Sequence, residues 1–511
     1  MASDHSGDLL ARTARGAGWV MAWRLGMRVL GLASTLVLVR LLSPADFGLV
    51  ALGTSFMQTI DGMMALGTDE AVIREHAPDR AMYDTAFTLN LLRGLAVGIL
   101  VAAAAFPAAA FFGEPRLGPL LLFVACLPVL DGLANIGTVD FRRDFAFHKE
   151  FAIMVLPKLG GILTAIGTAL LLRSYVAMLC GMGVNRGLRM VMSYVMHPHR
   201  PRLCLRAWRG LAGYSFWTWL LSLAVLLRDR SDSLILGRLT NAATLGLYSV
   251  GAEIAALPTT ELIEPLGRAS FSGFAAARRA GVPVGETYLR LIGTAALLTL
   301  PAGAGLSLVA APLVHVALGN GWDAAVPVLQ ILAIAGTMMV FGQLSQHLMS
   351  VHALLGRLVG ITLTGALLRI ALLALLIPGF GLPGAAWAVG LAVCAEQLLT
   401  LAMAFRRFRV RAGALLVCVW RPVVATAAMT VALACSGLGW QPAAHGDGMA
   451  ALATATAIGA IVYLATLLAA WWAAGRPAGA EADMFGVLRR AMADSQARLK
   501  QAMAQQNNHR D

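Results

Sequence analysis

LVRLLSPADFGLVALG, residues 38–53, aligns without a gap on LGRLTNAATLGLYSVG, residues 236–251, and this duplication decides the fold. Arg40 matches Arg238, Leu41 matches Leu239, Ala45 matches Ala243, Gly48 matches Gly246, Leu49 matches Leu247 and Gly53 matches Gly251. Each copy closes one apolar stretch, turns, and opens the next. The register extends outward from the two copies. Arg93 and Arg290 each fall just inside the third apolar stretch of their half, while Lys158 and Arg369 fall within the fifth, each 17 residues before Tyr175 and Ala386.

The apolar stretches are long enough to cross a bilayer. The chain has 511 residues, 58% of them hydrophobic and only 13% charged. A soluble protein carries about 25% charged residues to keep its surface hydrated; a chain this long with half that share hides its surface in lipid. Runs of roughly 20 apolar residues, the length that spans about 30 Å of hydrocarbon, recur throughout. No barrel-like alternation is present, so the spans are helices whose backbone groups bond internally. The reading places them near 19–42, 46–67, 86–107, 117–137, 151–172, 175–196, 212–236, 245–266, 287–310, 325–348, 354–377, 382–404, 413–436 and 449–472. The fold class is thus an all-α integral membrane protein with about fourteen transmembrane helices.

Six spans separate the two copies, an even number, so the halves insert the same way up, with an axis along the membrane normal as in transporters built from parallel repeats. The expected organisation is a cytoplasmic N-terminus (1–18), a six-helix lobe (19–196), a basic linker (197–211), a second six-helix lobe (212–405), two additional helices (406–473) and a cytoplasmic amphipathic tail (474–511). The linker HPHRPRLCLRAWRG (197–210) is expected to lie on the inner headgroups.

The net charge of +13 is a topology signal. With the N-terminus inside, the inside loops hold Arg12 and Arg15; Arg74 and Arg80; Arg142, Arg143 and Lys149; Arg200, Arg202, Arg206 and Arg209; Arg268, Arg278 and Arg279; Arg357; and Arg406, Arg407, Arg409 and Arg411. The outside loops hold only Arg40, Arg116, Arg173 and Arg238. This is the positive-inside asymmetry, reinforced by anionic headgroups, and it argues against nucleic acid as a partner. The polar start runs straight into a full-length span, so no cleavable secretory signal is expected. Cys126, Cys180, Cys204, Cys394, Cys418 and Cys435 are scattered without metal-ligand spacing and read as small packing residues. No cofactor is expected.

RLLSPADFG (40–48) and DSLILGRLTNAATLGLYSVG (232–251) resemble the Wzx-type polysaccharide-export flippases of the multidrug/oligosaccharidyl-lipid/polysaccharide (MOP) superfamily, over residues 19 to 405. The resemblance implies a bacterial inner-membrane protein with both termini cytoplasmic, two six-helix lobes and a central cavity. It also implies an undecaprenyl-diphosphate-linked oligosaccharide as substrate, flipped by alternating access for lipopolysaccharide or exopolysaccharide biosynthesis. Membrane lipids and a polysaccharide polymerase or export protein are the other implied partners. A drug/cation antiporter or a lipid II flippase on the same architecture stays open; a membrane glycosyltransferase is disfavoured by the short outside loops.

A glycan diphosphate needs a wet cationic site and no covalent step, so charges inside the spans are the residues to weigh. Arg369 lies about 14–18 Å from either end of its span, too deep to snorkel out; it either faces a cavity or pairs with an acid such as Glu396. Arg28 and Arg24 share a helix face, and Lys158 follows Pro157, which removes a helical hydrogen bond. Arg93 and Arg290 lie nearer the inner boundary, where snorkelling is the alternative. Arg40 and Arg238 read as outer-interface anchors. Arg228, Asp229, Arg230 and Asp232 form either a self-neutralising network or an early end of their span. Glu396, Glu253, Asp61 and Asp131 are the candidates for an ion-coupling site, with structural pairing to an arginine as the alternative.

Overall fold

The structure is a computed structural model that describes residues 26–64, 67–75, 78–144, 146–208, 216–259, 267, 270, 273–274, 278, 284–440, 448–477 and 479–482. Arg12, Arg15, Arg24 and the tail beyond 482 lie outside these residues. Every regular element among them is helical, and seven helices are long and apolar enough to cross a membrane, or eight counting a bent pair, Leu117–Gly132 with Ile136–Arg143. One of the seven, Leu355–Phe408, has 54 residues and would run about 81 Å as a straight helix. It breaks at Gly381, whose φ of 57° and ψ of −132° are non-helical, between Pro378 and Pro383. The expected spans 354–377 and 382–404 meet at that break. This is one place where glycine is required: φ there is positive and ψ lies far from the left-handed well that other residues tolerate.

The helices belong to two compact units. The first comprises Met1–Val250, Ala317–Trp322 and Ala366–Ala385; the second comprises Gly251–Val316, Asp323–Gly365 and Ala386–Asp511.

The first unit is organised around the duplicated motif. In copy one, Ser43 caps the Pro44–Met63 helix and Asp46 caps back: Asp46 N–H donates to Ser43 Oγ at 3.3 Å and Ser43 N–H to Asp46 Oδ2 at 3.1 Å, with Pro44 at the first helical position. SPAD is therefore a capping box on a proline-started helix. In copy two, Asn241 stands where Ser43 does and does the same work: its Oδ1 accepts from Thr244 N–H at 2.9 Å. The two helix starts then pack backbone on backbone. A Cβ at Gly48 would fall on the Ala242 carbonyl and against Gly246 N; a Cβ at Gly246 would fall on the Pro44 carbonyl and against Gly48 N. Because Pro44 matches Ala242 as Gly48 matches Gly246, this contact is its own pseudo-two-fold mate. The paired arginines make different contacts. Arg40 Nε donates to the Ala317 carbonyl at 3.4 Å, and the Arg238 guanidinium lies 5.0 Å over the Phe111 ring. Each holds the end of another helix.

Below this seam the Phe216–Leu239 helix runs antiparallel along Pro44–Met63, with Gly237 over Leu52 and Gly62 over Leu226. Phe147–Leu172 and Val176–Met196 pack through Gly161 and Gly181, where Gly161 faces the Gly181 carbonyl and Gly181 faces Ala165. Small residues at such crossings let backbones approach where lipid supplies no hydrophobic drive.

The linker is more ordered than a headgroup-bound segment would need to be. Backbone N–H groups of Arg202, Cys204 and Ala207 donate to Asp84, Thr88 and Thr85 at 3.0, 2.9 and 3.2 Å, so residues 201–207 are strapped to the first turns of the Arg80–Phe112 helix. Asn135 ties the strap further, its side-chain amide donating to the His199 carbonyl at 2.7 Å. His199 and His197 lie 3.3 Å from Asp84 and Asp140. Burial outweighs Asp140 and holds His197 below the usual histidine range. Tyr83, half-buried, donates to Asp140 at 2.5 Å.

In the second unit, Val284–Leu308 and Val326–Val351 cross at Gly303, against the Ala333 carbonyl and Thr337. Tyr288 and Ser345 share a buried hydrogen bond of 2.6 Å. The two additional helices, Ala412–Cys435 and Gly448–Ala473, belong to this core: Met429, Leu433, Ala455, Tyr463 and Leu467 pack with Leu297 and Leu308, and Tyr463 O–H donates to the Leu297 carbonyl at 2.7 Å.

Candidate functional site

Several charged groups of the first unit lie on its long helices. Asp61, near the C-terminal end of Pro44–Met63, sits 3.6 Å from Arg93 on Arg80–Phe112. At that separation the pair attracts without closing a hydrogen bond, and Asp61 Oδ1 and Arg93 Nε have no hydrogen-bond partner among the described residues. Asp131, on the helix Cys126–Gly132, is ion-paired with Arg186 of Val176–Met196, and Asp61 is also within electrostatic range of Arg186. Arg189 lies one turn further along that helix. Lys158 Nζ donates to the Met27 carbonyl at 2.7 Å and rests on Gly31, so Pro157–Lys158 docks against the helix at 26–41. Arg28 is half-buried on that helix. The expected cations Arg28, Arg93 and Lys158 and the acids Asp61 and Asp131 thus all belong to this unit.

Arg369 also belongs to it. The side chain is buried, with the residue 7% exposed. Its Nη1 donates to the Arg228 carbonyl at 2.8 Å and lies 3.9 Å from Asp232 Oδ2. Asp232 accepts a second hydrogen bond, 2.9 Å, from Tyr248 O–H. The charged run at 228–232 does not end its span, because the helix continues to Leu239. It divides instead: Arg228 holds Asp229 at 2.8 Å, and Asp232 turns to Arg369.

Arg290, Glu253 and Glu396 lie in the second unit. Glu396 is 3% exposed, with its carboxylate against Gly365, and Gln397 fills the notch over Gly342. Arg290 and Glu253 are exposed side chains, and all three are engaged in interactions. Three further groups were missed from sequence. Arg186 and Arg189, in NRGLR, lie well inside an apolar span, and that depth was the available signal. The third is Arg421, 5% exposed, whose partner Glu481 is 2% exposed and 3.0 Å away; this pair anchors residues 479–482 beside Gly293 and Cys418. Among the described residues no group of three or more His, Cys, Asp or Glu side chains could hold a metal ion.

Long apolar helices, packed through glycines at the repeat and carrying charged side chains, describe a multi-pass membrane protein, and solved structures match its fold. A lipid II flippase, MurJ, in an inward closed conformation superposes with a TM-score of 0.72 at 13% identity, covering 89% of this chain and 99% of that one. An inward-facing multidrug resistance MATE family transporter of the MOP superfamily gives 0.59 at 15% identity, covering 75% and 94%. At such identities the likeness establishes the fold alone, the one these two structures share. The family described as polysaccharide biosynthesis protein matches residues 37–327, more than half of the chain, and the chain belongs to that family. Among curated proteins it is 22% identical to the lipopolysaccharide biosynthesis protein WzxC of Escherichia coli (strain K12), over 66% of this chain and 69% of that protein. It is 23% identical to the succinoglycan biosynthesis transport protein ExoT of Rhizobium meliloti (strain 1021), over 63% and 65%, and 23% identical to the teichuronic acid biosynthesis protein TuaB of Bacillus subtilis (strain 168), over 56% and 60%. It is a multi-pass membrane protein of polysaccharide biosynthesis.

Proposed function

We infer that this chain flips an undecaprenyl-diphosphate-linked oligosaccharide from the inner to the outer leaflet of the bacterial cytoplasmic membrane, by alternating access and with both termini in the cytoplasm. The single observation that carries this reading is the charge carried by the first unit's long helices. Arg28, Arg93, Lys158, Arg186 and Arg189 outnumber Asp61 and Asp131 within helices that otherwise repel charge. A diphosphate is the complement of such a site, since guanidinium groups bind phosphate oxygens with bidentate, charge-assisted hydrogen bonds. An antiporter for cationic drugs would present the opposite sign. The prenyl tail needs no polar site, because it stays in lipid while the headgroup crosses. In this reading of fourteen crossings, the duplicated arginines Arg40 and Arg238 lie on the outside and the linker strap on the inside, where its basic residues favour it.

The test is reconstitution of the full chain in vesicles carrying a fluorescent undecaprenyl-diphosphate oligosaccharide, with accessibility to an added glycosidase reporting the leaflet. Protein-dependent flipping that falls at least tenfold in Arg93→Ala is expected, the loss of one charge-assisted contact being worth about that much. Flipping of lipid II at an equal rate in the same vesicles would move the substrate to the peptidoglycan precursor. No flipping of either lipid would remove the reading.

A further inference from the structure

The linker strap carries side chains that neither the packing seam nor the cations around Asp61 and Asp131 use. Its support is the Arg80–Phe112 helix, whose 33 residues extend about 50 Å. Residues 94–112 of that helix carry no polar side chain, a run of about 28 Å that fills a hydrocarbon layer about 30 Å thick. The first turns, with Asp84, Thr85 and Thr88, therefore stand at headgroup level, and the strap is bonded to them. Its path dips toward the hydrocarbon and back. Arg202 N–H reaches Asp84, Cys204 N–H reaches Thr88 one turn deeper, and Ala207 N–H returns to Thr85. On either side of the deepest point Leu203 and Leu205 are 73% and 48% exposed, and Trp208 is 52% exposed. Arg202 and Arg206, on the shallower limbs, are exposed as well, as are Arg80 and Arg200. Arg80 donates to the Arg200 carbonyl at 3.5 Å, which brings both beside the strap. The acids nearby already hold hydrogen bonds: Asp84 from Arg202 N–H, Asp79 from Met82 N–H and Asp140 from Tyr83 O–H.

We propose that residues 202–208 form an interfacial anchor that binds anionic phospholipid. Leu203, Leu205 and Trp208 enter the boundary between headgroups and acyl chains, and the arginines beside them hold the lipid phosphate. The strap meets the requirements of such a loop before any lipid arrives. Irregular backbone enters an apolar layer at low cost only when its N–H groups have partners. Pro201 has no N–H to satisfy, and those of residues 202, 204 and 207 are bonded inward. Leucines at the tip, arginines above them and a tryptophan alongside match the layers of the interface in order. A folded acidic partner would supply the charge but would have to enter the lipid to meet the leucines. Each arginine near an anionic surface favours binding by about fivefold, so a lipid with a net negative headgroup is selected over a zwitterionic one. The anchor requires only that the chain spans a membrane and is independent of what it transports.

The experiment uses the full-length protein in phosphatidylcholine vesicles containing increasing fractions of phosphatidylglycerol with brominated acyl chains, bromine being a short-range quencher of tryptophan. The Trp208 signal is the difference between wild type and Trp208→Phe at each composition. Brominated phosphatidylglycerol should quench it at a several-fold lower fraction than brominated phosphatidylcholine does. Arg202→Gln with Arg206→Gln should raise the half-quenching fraction of phosphatidylglycerol at least about tenfold, two contacts of about fivefold each being removed. Raising the salt from about 0.1 M to about 1 M shortens the screening length from about 10 Å to about 3 Å and should move wild type in the same direction. Quenching of Trp208 by neither lipid, as in water or under a protein partner, overturns the proposal. Equal quenching by both lipids, unmoved by salt, leaves lipid contact without recognition of charge and overturns it as well. Should the double variant not insert, the salt dependence of wild type decides alone.

Discussion

Gly48→Ala offers the sharpest test of the repeat seam. A Cβ at Gly48 meets the Ala242 carbonyl oxygen and Gly246 N, which are backbone atoms with no rotamer to escape into. Restoring an ordinary carbon–oxygen distance of about 3.3 Å requires the two helix starts to part by roughly 1.5–2 Å. Overpacking of this kind costs about 1–3 kcal/mol when side chains can yield; with backbone on both sides the upper end applies, about 3 kcal/mol, enough to lower the unfolding temperature by several degrees. The pseudo-two-fold relation makes two further demands. Gly246→Ala should be equally destabilising, because its Cβ meets the Pro44 carbonyl. The double variant should lose little more than either single one, since one separation relieves both clashes and neighbouring sites do not add. Gly167→Ala is the control: nothing lies within 4 Å of its Cβ, and alanine is favoured over glycine in a helix by about 0.5–1 kcal/mol. The assay is thermal unfolding of detergent-purified protein, followed by tryptophan fluorescence and size-exclusion. If Gly48→Ala unfolds at the temperature of Gly167→Ala, the backbone seam is not there.

Other perturbations read other parts of the structure. Arg421→Met should lose about 3–5 kcal/mol, because it leaves Glu481 ionised and buried; Arg421→Met with Glu481→Leu should recover most of that in the same unfolding assay. The linker strap should loosen in acid. His197 is held below its unfolded value by burial, so its neutral form stabilises the strap above the unfolded pKa of about 6.5. That stability is lost as pH falls through the lowered folded value. Hydrogen exchange at residues 201–207 should therefore quicken between about pH 7 and pH 5, and His197→Gln should abolish that added acceleration. Arg186→Ala should lower transport at least tenfold by removing one charge-assisted contact and leaving Asp131 alone, with Arg186→Lys recovering part of the rate.

Much of the fold was legible because lipid imposes one rule on every span and the duplication imposes a second. Arg40 with Arg238 and Gly48 with Gly246 could be matched by eye, and the glycines proved to form one reciprocal contact. The partner of each buried charge was less accessible. Depth along a helix follows from counting residues, which singled out Arg369 as buried; its partner depends on which helices adjoin, and counting placed Glu396 at equal depth without revealing that Asp232 faces Arg369. The charged run 228–232 resembled a solvated end because charge ordinarily marks the end of a span, and here the helix carries it through by dividing the run between two partners. Arg186 and Arg189 satisfied the same depth criterion as Arg369 and were passed over. Arg421 pairs with a residue 60 positions away, a relation that no periodicity encodes.

The most direct test of the flippase account is the leaflet in which lipid-linked glycan resides when the protein is removed from its bacterium. Depletion should leave the undecaprenyl-diphosphate glycan accumulating on the cytoplasmic face, closed to a membrane-impermeant label added outside and opened only by permeabilisation, while surface polysaccharide falls. Glycan that stays open to the outside label, with surface polysaccharide unchanged, would contradict the account.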